Sequence, residues 1–173
     1  MPSNGTSEDF HNQLIAGTQL LEARRAEKAI RLLERAHSLQ PDNLDAILNL
    51  SAAYILTEKW RLAVALIERV IEHSSDNPQL WVNLGAAYLG NPVLANSEQQ
   101  LKAISAFEAA LEINPSLYSV HYNIALIHRD RGEVEQAIEM LEQALMTHPA
   151  DRDAHRLLQR LSHRRPTSTT DQG

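Results

Sequence analysis

Trp81-Val82-Asn83-Leu84-Gly85-Ala86-Ala87-Tyr88, answered by Ala103, Phe107, Ala110 and Pro115, is the stretch whose reading decides the fold. Trp81, Leu84 and Tyr88 stand at i, i+3 and i+7, which places them on one face of a helix. Gly85 removes a side chain where a partner helix must come close. Ala103, Phe107 and Ala110 form the answering stripe on a second helix: small, large, small. Pro115 lacks an N–H and restricts Asn114 before it, so the second helix stops there.

The pattern recurs outward in both directions. Residues 10–43 carry Gly17, Ala29, Leu33, Ala36 and Pro41 at the places of Gly85, Ala103, Phe107, Ala110 and Pro115. Gln13 and Leu20 stand for Trp81 and Tyr88, so the first helix here is degenerate. Residues 44–77 are closer, with Leu50, Ser51 and Tyr54 on the first helix and Ala63, Ile67 and Val70 on the second. Ser75 replaces the closing proline there, and Asp76-Asn77-Pro78 supplies the turn instead. Residues 118–151 repeat the arrangement with Ile124, Ala125 and His128, a turn at Gly132, then Ala137, Leu141, Ala144 and Pro149.

The third repeat, 78–117, is six residues longer, and the excess (91–96) lies between its helices. Gly90 and Asn91-Pro92 end the first helix, or Asn91-Pro92 starts a short extra helical turn. Ser97 with Gln100 reads as a capping box for the second helix. After the fourth repeat, 152–164 reads as a lone amphipathic helix with Ala154, Leu158 and Leu161 inward, the lid that an open end of stacked core requires. Residues 1–6 and 165–173 are expected to be disordered, with Thr6 or Ser7 capping the first helix, so the folded domain is 7–164.

These letters resemble the tetratricopeptide repeat family over about residues 10–164. The resemblance implies an all-α, right-handed solenoid of four stacked helix-turn-helix repeats plus a C-terminal capping helix. It also implies a concave groove lined by the first helices, protein or peptide partners, and seldom catalysis. The groove position it marks holds Asn49, Asn83 and Asn123, whose carboxamides offer a donor and an acceptor to a peptide backbone. Leu48, Val82 and Tyr122 precede them, and Ala52, Ala86 and Leu126 follow three residues on, with Ile55, Leu89 and Arg129 beyond. Arg152, Arg156, Arg160 and Arg164 share one face of the capping helix, and Arg156 and Arg160 should edge the groove near Arg129. That face reads either as a basic end receiving a carboxylate or as a solvated surface. The family's clamp for chaperone C-termini needs lysines, and this chain has Leu14, Thr18, Asn49, Gln79 and Asn83 in that frame, which disfavours such a ligand.

Composition narrows the remaining classes. A net charge of −6 repels a phosphate backbone, so nucleic acid is not an expected partner. No apolar run approaches the length of a membrane span, no secretory signal is visible, and a cytoplasmic location is expected. The chain has no cysteine, hence neither disulfides nor thiol chemistry. His121, His128 and His155 invite a metal reading, but they occupy the packing places of Trp81 and Tyr88 and lack a carboxylate at ligand spacing. No phosphate loop or nucleophile motif is present. The expected function is a non-enzymatic, cofactor-free adaptor holding a partner peptide in its groove. The alternative is self-assembly into a homo-oligomer, one protomer filling a neighbour's groove.

Overall fold

The computed structural model describes residues 4–73 and 76–163. Ser75, Arg164 and the tail beyond it lie outside the described residues. Nine helices are present among the described residues: α1 (Asn4–Glu22), α2 (Ala26–Leu39), α3 (Leu44–Leu56), α4 (Trp60–Ile71), α5 (Pro78–Leu89), α6 (Ser97–Ile113), α7 (Tyr118–Arg131), α8 (Val134–Thr147) and α9 (Arg152–Ser162). They fall into two compact units divided between Ile113 and Asn114. Helix α1 begins at Asn4, so Thr6 and Ser7 lie inside it rather than capping it; the Ser7 carbonyl accepts a hydrogen bond from His11 Nδ1 at 2.7 Å.

In the N-terminal unit, α1–α2, α3–α4 and α5–α6 are the paired helices. In the first and third pairs the small residue of the first helix faces the large residue of its partner. A Cβ placed on Gly17 would stand 2.6 Å from Leu33 Cγ, and one on Gly85 would stand 2.6 Å from Phe107 Cδ1. Ser51 takes the same place in the second pair and is fully buried, as is Ile67 on the partner helix. Where Gln13 stands for tryptophan, Phe10 one turn earlier is buried against Ala36 and Ala46. Neighbouring pairs are tied by Tyr54, whose hydroxyl donates to Glu34 Oε1 at 2.8 Å, and by Tyr88, whose hydroxyl donates to Glu68. Burial first, then the adjacent carboxylate, pushes the Tyr88 phenol up to about 12 and moves Tyr54 in the same direction.

The turns inside the regular repeats share one construction. Lys59 N–H bonds to Tyr54 O at 2.8 Å and Glu58 N–H to Ile55 O at 3.1 Å. Arg24–Arg25 and Gly132–Glu133 make the same two bonds to their own helices. This double closure puts one residue in the left-handed region: Arg24 at φ 57°, Glu58 at 59° and Gly132 at 77°. Only the last is glycine. A side chain there costs about 1–2 kcal/mol, against about 0.4–1 kcal/mol of unfolded-state entropy that glycine would add. Glu58→Gly should therefore raise stability by up to about 1.6 kcal/mol. A urea midpoint that falls instead would mean that exposed Glu58 makes contacts outweighing its strained backbone.

The six extra residues of the third repeat are divided between loop and helix. Helix α6 has 17 residues where α2 has 14 and α4 has 12, because it starts earlier in the repeat. The extra turn is capped one residue before the sequence pattern suggests. Asn96 and Gln99 exchange bonds, Gln99 N–H to Asn96 Oδ1 at 2.9 Å and Asn96 N–H to Gln99 Oε1 at 3.0 Å. The reciprocal pair is thus Asn96–Gln99, one place ahead of Ser97–Gln100. Asparagine and serine cap about equally well, and Ser97 is already the first helical residue. Asn91-Pro92 begins a single turn closed by Leu94 N–H to Asn91 O at 3.0 Å, which stops before α6 begins at Ser97.

In the C-terminal unit, α7 pairs with α8 and α8 with α9. Ala125, Ala137, Ile138 and Leu141 join Ala154, Leu157 and Leu161 in one core. Leu157, not Leu158, takes the middle inward place on α9; Leu158 is half-buried at its flank. Asp151 Oδ1 caps α9 by accepting from Asp153 and Ala154 N–H at 2.6 and 2.9 Å.

Candidate functional site: the first-helix faces

In the N-terminal unit, α1 approaches α3 and α3 approaches α5 more closely than the second helices approach one another. The first-helix layer is thus the tighter of the two, with α3 and α5 adjacent in it. Leu48, Ala52, Val82 and Ala86 are all half-buried on these helices. Leu48 and Ile55 also lean on the core.

The asparagines at one register are not equivalent. Asn83 Nδ2 donates to Ser51 Oγ at 2.9 Å and to Leu48 O at 3.4 Å, and its Oδ1 accepts from Gln79 Nε2 at 3.0 Å. Both of its N–H donors are spent tying α5 to α3. Asn49 has Gly17, not serine, at the matching place on α1, so no hydroxyl meets it. Its Nδ2 turns back to Asp45 O at 2.9 Å on its own helix.

In the C-terminal unit, Tyr122 and Leu126 pack against the α7–α9 core while Asn123 is half-buried beside them. Arg129 and Arg160 meet at one hollow of about 420 Å³, floored by Leu157 and Leu161. Arg156 does not line it and pairs with Asp153 at 2.8 Å. Arg129 in turn is held by Asp130 at 2.6 Å.

The histidines are taken up singly. His128 Nδ1 bonds Glu133 Oε2 at 2.6 Å, which holds the Glu133 carboxyl below its usual range, and His155 Nε2 donates to Pro149 O at 2.8 Å. Buried His121 has its pKa lowered by desolvation. Among the described residues, no three His, Asp or Glu side chains gather as a metal site would need. No described helix is long and apolar enough to cross a membrane.

The tetratricopeptide repeat profile matches residues 20–88 and 98–161, more than half of the chain. The chain belongs to the tetratricopeptide repeat family. The break between the two matched stretches brackets the insertion. Solved structures give the same fold class, the all-α solenoid. A crystal structure of MamA aligns over 91% of this chain and 82% of its own at TM-score 0.75 and 19% identity. TTC0263, a tetratricopeptide protein of Thermus thermophilus, aligns over 89% and 81% at TM-score 0.74 and 22% identity. MamA of MSR-1 is 28% identical over 79% and 75%, at TM-score 0.64. No curated protein matches. Tetratricopeptide chains are typically non-enzymatic modules for protein interaction, and this is a scaffold of that general kind.

The Tyr–Glu ties between repeats escape a reading that looks only for fixed tetratricopeptide letters. Their signal is present: a glutamate stands 20 residues before Tyr54 and again before Tyr88. The Asn83–Ser51 tie likewise needs two repeats to be read together.

Proposed function

We propose that the chain holds a segment of a partner protein, as an extended peptide or a helix, on the first-helix face of residues 10–113. The observation supporting this is the tight first-helix layer with half-buried Leu48, Ala52, Val82 and Ala86 along it. An apolar face with few polar groups takes apolar anchors from a ligand and leaves the ligand's backbone near Asn49. In the C-terminal unit, taken by itself, the Arg129–Arg160 hollow suits an acidic or carboxylate-bearing segment.

Peptides selected from a random displayed library against the full chain provide the probe. Val82→Glu should weaken their binding at least about tenfold, a loss of about 1.4 kcal/mol, because a carboxylate on the apolar face is desolvated without a partner. Arg61→Glu, on a second helix, should leave it unchanged. Peptides that bind both variants alike, by fluorescence anisotropy, would move the site off this face.

A further inference from the structure

We propose that two copies of this chain associate through the second-helix side of the third repeat, each copy's Val93 and Leu94 entering the hollow around Tyr88 of the other. This surface is separate from the peptide-holding face and does not depend on it.

A protrusion and a socket lie side by side there. Val93 and Leu94 are exposed at 91% and 77%, the highest values among the large exposed apolar residues described. They are presented by a fixed turn, since Val93 N–H bonds Asn91 Oδ1 at 3.0 Å and Leu94 N–H bonds Asn91 O at 3.0 Å. Beside them are two open hollows of about 320 and 400 Å³ that share Tyr88, Glu98 and Lys102. Trp60, Val64 and Ala87 line the first; Trp81, Leu84 and half-exposed Leu101 line the second. Gly90 joins turn to socket, as a Cβ on it would lie 3.6 Å from the Trp60 ring.

The turn is anchored at both ends, by Gly90 against Trp60 and by the Asn96–Gln99 exchange that starts α6. Val93 and Leu94 remain exposed and do not fill their own socket, so a neighbour's turn is free to enter. Charge selects the neighbour. The socket's rim carries Arg61 and Lys102 against Glu68 and Glu98, a balanced set in which Glu98 holds Lys102 at 2.8 Å and Glu68 accepts from Tyr88. A strongly acidic or basic partner gains nothing from a rim already balanced within one copy, whereas a second copy brings the same balanced rim together with an apolar turn that matches the socket. Adjacent protrusion and socket on one protomer are what a self-complementary two-fold contact requires. An exposed apolar cluster of this kind marks an association surface.

Sedimentation velocity of the full chain between about 1 µM and about 500 µM tests this over the range of moderate affinities. A monomer–dimer equilibrium is expected. Val93→Asp/Leu94→Asp should remain monomeric throughout with an unchanged melting temperature. Leu101→Asp in the socket should do the same, and carries the test alone if the turn variant melts early. Mixing the two variants should restore part of the dimer, because one intact protrusion then meets one intact socket. A wild-type chain that stays monomeric, association untouched by the variants, or a mixture with no dimer each overturns the proposal.

Discussion

Replacing Gly85 with leucine should cost about 3 kcal/mol or more, the upper end for overpacking a filled core. The first added carbon alone would stand 2.6 Å from two atoms of the Phe107 ring. Phe107 is 1% exposed, so the ring has no free direction in which to swing. Even Gly85→Ala should lose stability, although alanine gains up to about 1 kcal/mol of helix propensity over glycine. Adding Phe107→Leu to Gly85→Ala should return much of the loss, since the chain itself pairs Ala125 with Leu141 in the same register. Denaturant midpoints of the three variants check this. An unaltered midpoint for Gly85→Leu would mean that α5 and α6 do not cross at this residue.

Asn83→Ala should lower stability by about 0.5–1.5 kcal/mol, the net worth of an ordinary hydrogen bond, because Ser51 Oγ keeps its own bond to Leu48 O at 2.9 Å. The group left behind is Ser51 Oγ, fully buried and reached by Asn83 Nδ2 at 2.9 Å. Asn49→Ala should change stability by less than about 0.5 kcal/mol, because its amide only turns back on its own helix. The contrast separates two arrangements at one register: Asn83 joins helices, and Asn49 bonds only within its own. Equal melting temperatures for the two variants would remove the structural role assigned to Asn83.

The helix pairs are legible in the sequence because each depends on contacts inside one repeat. Gly85 and Phe107, or Gly17 and Leu33, announce a close crossing by size alone. What the letters do not convey is whatever depends on a second repeat. Asn49 and Asn83 look alike in their own helices; Gly17 and Ser51 on the preceding ones make them differ. The cap of α6 lies one residue from where the pattern puts it, for a related reason. Asn96–Gln99 and Ser97–Gln100 both satisfy the capping pattern, and only the start of the backbone helix chooses between them. At α9, Leu157 and Leu158 are both apolar, and the helix's rotation against α8 decides which is buried.

In the N-terminal unit every substantial helix contact joins elements one or two places apart along the chain. No pairing has to wait for a distant segment to be brought back, so little loop-closure entropy stands in the way of its formation. A chain built this way can begin to order as it leaves the ribosome. Both sides of the Gly17–Leu33 contact are synthesised before α5, and each later pair adds to the one just before it.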